Sequence, residues 1–328
     1  MVSDRYLVRN VIIICAILAL MYFAWLIVDV LLMVFASILL AIIFHSLAVP
    51  FARYTRMPVR YAVFPVALIL VGAIGLALYL FGATIQSQVV ELMLGLPAAW
   101  AELKDRLHLQ GMGIDLLQRA EAVAPSSVTV ISTLQGVTSN VFDVLVGGFL
   151  VLVGGIYFAL EPKLYRDLLL SFWPEDRRED MSRVLHSICS DLLAFLKAQF
   201  IAMVVVGALA FVGLTIVGVP SALALAMFVC LAEFVPLIGP IVSAIPALLI
   251  ALTMGTDVAL WTLLVFIVVQ QSESNVITPL LQERMVSLPP AVTLFAVVVF
   301  GSIFGPLGIV LATPLTVLTF SAIRNHPR

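Results

Sequence analysis

The sequence predicts an all-α polytopic membrane protein, with about six spanning helices and two re-entrant helical hairpins that form an inverted repeat. Three observations carry this reading. Hydrophobic residues make up 63% of the 328 and charged residues 11%, against roughly 25% charged in a soluble domain. Apolar blocks of membrane-spanning length alternate with short breaks in which Lys and Arg collect. Two of the apolar stretches, residues 231–246 and 303–315, carry the same punctuation: Gly-Pro, a short apolar run, then Ala-x-Pro.

Composition also excludes several function classes. A net charge of -2 and a pI near 6.1 leave no basic footprint for nucleic acid. Cys15, Cys189 and Cys230 have neither metal spacing nor the pattern of a disulfide framework, and read as small apolar residues. No His-Glu-x-x-His, Gly-x-Ser-x-Gly, dinucleotide-binding glycine loop or P-loop occurs. The expectation is therefore no catalytic residue, no metal, no cofactor and no ATP-driven step.

The elements follow in order. Arg5 and Arg9 precede an apolar block over 11–49, read as an uncleaved first span and a second one, turning near Asp29. Arg53, Arg56 and Arg60 fill the next break without an acid, and a third span covers 61–83. Residues 84–140 differ. Val89, Leu92, Met93, Leu96, Trp100, Leu103 and Leu107 recur at helical spacing, with Glu91, Glu102, Lys104 and Asp105 between them. That is an amphipathic helix, either lying on the membrane or packing on a bundle. A span over 141–160 carries Gly147-Gly148 and Gly154-Gly155, a small-residue stripe suited to close helix packing.

A charged region over 161–197 holds Lys163, Arg166, Arg177, Arg178, Arg183 and Lys197, with Trp173-Pro174 at the membrane interface and an amphipathic helix leading inward. A span over 198–217 ends at Val219-Pro220-Ser221, with Ser221 as a helix cap. The first broken segment runs to 254, a span covers 257–271, and the second broken segment covers 291–320. This divides the chain into 1–83 (N-terminal transmembrane helices), 84–140 (extramembrane), 141–197 (one span plus a charged cytoplasmic helical region) and 198–328 (a transport unit). With both termini cytoplasmic and both broken segments re-entrant, nearly every Lys/Arg cluster falls inside the cell.

The break residues are the candidate site. Span-plus-hairpin occurs twice in opposite senses, and such repeats meet near the bilayer midplane around a substrate. Pro236, Gly239, Pro240 and Pro246 shape the first hairpin, Gly305, Pro306 and Pro314 the second, and Pro279 the segment between. Ordinary helical hairpins with tight Gly-Pro turns are the plainer alternative. Glu233 stands just before the first break and Glu273 just before the Asn275-Val-Ile-Thr278-Pro279 run. An ionised carboxylate is costly in a poorly hydrated place, so a proton or a cation is its natural counter-charge. Either could instead be structural, Glu233 holding the hairpin and Glu273 solvated at the interface. Gln199, Gln270, Gln271, Asn275 and Thr278 are candidates to bind a polar solute or ion, or to join helices.

These residues resemble the AI-2E family of membrane transporters, also called the PerM or autoinducer-2 exporter family, over nearly the whole chain. The resemblance rests on Phe234-Val-Pro-Leu-Ile-Gly-Pro-Ile to Pro246, Gln271-Ser-Glu-Ser-Asn-Val-Ile-Thr-Pro279, Phe304-Gly-Pro-Leu-Gly to Pro314, and Tyr157-Phe-Ala-Leu-Glu-Pro leading to Trp173-Pro174. It implies a multi-pass transporter of the bacterial inner membrane that moves a small polar solute such as autoinducer-2, or exchanges Na+ or Li+ for H+. It also implies a homo-oligomer, with a pentamer as the expectation, in contact with membrane lipid. Two positions depart from the pattern. Ser274 stands where Gly is common, and Pro289 stands where many members carry a His before Pro290. A proton-handling role for that His would be missing here, which weakens a direct carry-over of the antiport mechanism. The competing reading is a channel or structural oligomeric scaffold without coupled transport.

Overall fold

A computed structural model of the protein describes residues 27–76, 145–236, 238–282 and 289–325, with Ile13, Tyr22 and Tyr79 in addition. Most of the first span, the 84–140 region and residues 283–288 lie outside the described residues.

All regular structure among the described residues is helical. Helix α1, Val28–Thr55, begins where Asp29 marks the expected turn, with that acid in its first turn, a placement that suits the partial positive charge of a helix N-terminus. Helix α2 is Val59–Leu76 and α3 is Leu145–Leu160. The glycine stripe of α3 packs on α1: a methyl group at Gly154 would lie 2.7 Å from Ser37 Oγ, and one at Gly155 3.1 Å from Leu40. Gly148, on another side of the helix, meets nothing within 4 Å. Gly154→Val is therefore expected to destabilise the fold by about 1–3 kcal/mol through overpacking. Thermal melting in detergent checks this, and an unchanged melting temperature would contradict the packing.

Helix α4, Pro162–Ser171, turns 89° away from α3. Pro162 sits in its first turn, where the missing N–H costs nothing. A short 3-10 turn, Glu175–Arg177, leads to α5, Arg178–Val217, a single helix of 40 residues. At 1.5 Å per residue it is about 60 Å long. The sequence suggests a charged helix followed by a separate span, but no proline or paired glycine separates them. The two parts therefore fuse into one rod, and the 197/198 boundary falls inside it. Gly218 ends the rod, its N–H returning to the carbonyls of Leu214 and Thr215.

Two shorter apolar helices follow: α6, Ala222–Ala232, and α7, Ile238–Met254. At about 16 Å, α6 covers roughly half of a 30 Å hydrocarbon core. Ser221 holds the N-cap position with φ 57, without the side-chain cap bond expected of it. Helix α8, Thr256–Ser272, does not give way to a loop. It continues as a π-helical turn, Glu273–Ile277, into the short helix α9, Thr278–Gln282. Pro279 cannot donate a backbone bond and would press on the carbonyl four residues back; widening the preceding turn accommodates it.

Helix α10, Pro290–Arg324, is broken at Gly305, whose φ of 63 and ψ of -147 suit a residue without a side chain. A methyl group at Gly301 would lie 2.7 Å from Ile309, and one at Gly308 would collide with the Phe300 carbonyl. Residues eight apart are separated by about 12 Å along an unbroken helix, so the chain folds back on itself at Gly305. Five described helices are long and apolar enough to cross a membrane, α10 among them by length and composition, or six if α3 and α4 are taken as one span. The all-α polytopic membrane architecture is as the sequence predicts.

The two broken segments converge on α5. Phe234 from the α6–α7 turn and Phe304 from the turn in α10 both pack on a core of Leu32, Phe35 and Leu39 of α1 with Leu192, Phe195 and Leu196 of α5. Below them Asp191 of α5 accepts hydrogen bonds from Ser321 Oγ at 2.6 Å and Arg324 Nη2 at 2.7 Å, which clasps the end of α10 to the same rod.

Candidate functional site

Close approach of small residues assembles the site. A methyl group at Gly207 of α5 would lie 2.7 Å from Cys230 Cβ, and one at Gly213 would collide with Val265 of α8. Both α6 and α8 therefore press on α5. Val206, Ala210, Ala226, Val229, Val269 and Ile277 close the space between them. Ile277 comes from the π turn, so this turn faces inward and carries Glu273 with it.

Glu233 caps the C-terminal end of α6 and is 1% exposed. Its backbone carbonyl is one of those that a helix end leaves unpaired. Gln199 of α5, itself buried, donates Nε2 to that carbonyl at 2.6 Å. The Glu233 and Glu273 carboxyls are close enough to interact, and Gln270 Nε2 donates to Glu273 Oε2 at 3.1 Å. Glu233 Oε2 is fully buried, and no donor reaches it among the described residues. A buried carboxyl, Glu233, thus stands beside a half-buried one, Glu273. Ionised carboxylates in contact repel each other and each loses hydration, so the pair is stable only with a proton or a cation to balance it.

Four of the sequence candidates, Glu233, Glu273, Gln199 and Gln270, come together here. Gln271 and Asn275 do not. Asn275 Nδ2 donates to the carbonyl and to Oε1 of Gln271, at 3.0 and 2.9 Å, on an exposed face of the helix. Thr278 is half-buried, and its backbone N–H returns to the Glu273 carbonyl across the π turn. Pro236 lies in the α6–α7 turn, while Gly239 and Pro240 open α7. A methyl group at Gly239 would collide with the Ala232 carbonyl, so this glycine lets α7 cross beside Glu233. Pro306 likewise opens the second arm of α10. Pro246 and Pro314 lie inside their arms, and Pro279 opens α9. Asp191, Ser321 and Gly207 are not among the sequence candidates. Asp191 and Ser321 are 130 residues apart, and nothing local to either signals the clasp.

Gln199→Leu removes the donor to a buried carbonyl and should destabilise the protein by about 1–3 kcal/mol. Melting in detergent measures this, and a neutral result would mean that the carbonyl is satisfied by another group.

A family model described as AI-2E family transporter matches residues 12–328 of the chain. Among curated relatives, the provisionally named transport protein YueF of Bacillus subtilis (strain 168) is 24% identical, covering 86% of this chain and 81% of its own. YrrI of the same organism, provisionally named in the same way, is 22% identical over 89% of this chain and 85% of its own. A protein of Halobacillus andaensis named sodium-lithium/proton antiporter is 24% identical, over 60% of this chain and 55% of its own.

Proposed function

This chain belongs to the AI-2E transporter family, and from that premise we propose that it exchanges Na+ or Li+ for H+ at the Glu233–Glu273 carboxyl pair, by alternating access. The observation that carries the reading is the buried Glu233 carboxyl, with an unpartnered oxygen and a second carboxyl beside it. An ionisable group inside a membrane protein marks an ion or proton pathway by default. A proton and a small monovalent cation are alternative ways to balance the same pair, and mutually exclusive occupancy is the basis of exchange. The C-terminal end of α6 adds to this, because helix C-termini favour cations. The antiporter name of the Halobacillus relative points the same way.

The hairpin geometry supports alternating access. The helix α6 is too short to cross alone, α10 folds back at Gly305, and both turns reach one apolar cluster on α5. That arrangement suits two re-entrant hairpins in an inverted repeat, which rock about the rod. The Lys/Arg distribution favours cytoplasmic termini, in the bacterial inner membrane, and the many exposed apolar side chains suit contact with lipid and with further copies of the chain. Nothing in this reading requires an enzymatic step. Export of a neutral polar solute such as autoinducer-2 is the second reading. The unpartnered Glu233 oxygen favours it, since it could accept a hydroxyl.

The test uses purified protein in sealed vesicles that hold a pH-sensitive dye. An external pulse of Na+ or Li+ should drive protons across the membrane in a saturable way. No proton movement from inserted protein would overturn the cation reading. Non-saturable flux without counterflow would indicate a channel.

A further inference from the structure

Helix α4 is not used by the site, yet its geometry is distinctive. It leaves α3 at 89°, so if α3 crosses the bilayer, α4 runs along its surface. At about 100° per residue, Leu164, Tyr165, Leu168, Leu169 and Phe172 share one face, and Lys163, Arg166, Asp167 and Ser171 share the other, with half-buried Leu170 among them. Among the described residues nothing covers the apolar face: Leu164 and Leu168 are each 57% exposed and Phe172 77%. Its direction is set by Tyr165, whose ring packs edge-on against Phe158 of α3, with centroids 4.6 Å apart. Phe158 lies in the last turn of α3, so the face that holds Tyr165 looks back along α3, the direction of the bilayer interior if α3 crosses. The opposite face carries Arg166, hydrogen-bonded to Asp167 at 2.9 Å, and looks toward water. At the near end, Arg60 of α2 pairs with Glu161 at 3.0 Å, so the cationic end of α2 lies on the same side.

We propose that α4 is an interfacial anchor, embedded in the headgroup region of one leaflet, and that phospholipid is the partner of its apolar face. Bulky apolar residues on one face, with basic residues on the other, are the pattern of helices that lie in a membrane surface. Trp173 follows directly, an aromatic residue of the kind enriched at that level. The anchor has a consequence for α5. Only a short link joins the two helices, and it is braced by Arg178 Nε donating to the Trp173 carbonyl at 3.2 Å. Lipid contact at α4 therefore holds the start of the rod that carries Asp191 and Gln199 at a set depth.

The full chain in phosphatidylcholine–phosphatidylglycerol vesicles tests this, with Cys15, Cys189 and Cys230 replaced by Ala. Nitroxide labels are placed at Leu168→Cys and Arg166→Cys, and their collisions with oxygen and with a water-soluble nickel chelate are compared. The Leu168 label should collide mainly with oxygen, at about 5–10 Å below the headgroups, and the Arg166 label with the chelate. Chelate access at both positions would overturn the proposal. So would shielding of the Leu168 label from both reagents with spin–spin broadening, which would mean that a second copy covers the face. Should the labelled chains not insert, Trp173 with Trp25, Trp100 and Trp261 replaced by Phe gives an independent reading. Its fluorescence should be quenched more by bromines near the carbonyl end of the acyl chains than by bromines near the methyl end. Quenching by aqueous iodide alone would overturn the proposal.

Discussion

Glu233→Gln is expected to abolish cation-driven proton movement while leaving the protein folded. The amide keeps the shape of the carboxyl but carries no exchangeable charge, so the pair can no longer alternate between proton and cation. Loss of a positioned proton-exchanging side chain lowers rates by about 100-fold or more, and the dye signal in vesicles should fall to the level of empty ones. Glu273→Gln should have the same sign. Stability should move the other way or not at all, because removing the buried member of two neighbouring carboxyls, Glu233, relieves repulsion and desolvation. That combination separates a transport role from a structural one. If Glu233 merely held the hairpin, Glu233→Gln would transport at the native rate, or would lose transport only together with its melting temperature. Native proton movement in Glu233→Gln would sink the proposed site.

Gly239→Ala and Gly308→Ala are expected to be the most damaging single substitutions for the fold. At each position the added methyl group would overlap a backbone carbonyl, that of Ala232 for Gly239 and that of Phe300 for Gly308. A flexible side chain could rotate away, but a backbone atom inside a helical arm cannot, so the hairpin itself must open. The cost should reach or exceed the upper end of about 1–3 kcal/mol found for overpacking. Gly148→Ala provides the control, since nothing lies within 4 Å of its methyl group. There the change should be neutral, or should stabilise by about 0.5–1 kcal/mol through helix propensity. Melting of the three variants in detergent, followed by the vesicle assay, checks both effects. Equal melting temperatures for Gly239→Ala and Gly148→Ala would contradict the close crossing of α6 and α7.

Much of the fold is legible along the chain because its signals are local. Hydropathy over 20 residues marks a span, and the glycine pairs of α3 mark a face that another helix approaches. Gly-Pro marks the break in α10, where Gly305 is the turning residue itself. Around the first break the same dipeptide plays a different part. The described turn residues are 233–236, and Gly239-Pro240 already belongs to α7, a distinction that depends on which backbone the glycine must pass. The sequence ends the span at 271, yet 273–277 continues the helix as a π turn into α9. Ile277 buries itself against α5 and α6, and the π turn relieves the proline without leaving the helix.

By itself, the sequence determined the membrane class, the order of spans and breaks, and the two acids worth testing, since each is written in composition, periodicity or residue type over a short window. Only the tertiary structure decided that Glu233 and Glu273 meet, that Gln270 joins them while Gln271 and Asn275 turn outward, and that Gln199 secures the carbonyl beside the pair. On a helix a one-residue step rotates a side chain by about 100°, so neighbours in sequence part company. Residues tens of positions apart converge where Gly207, Gly213 and Gly239 let backbones touch. That convergence is set by packing, which no single stretch of chain contains.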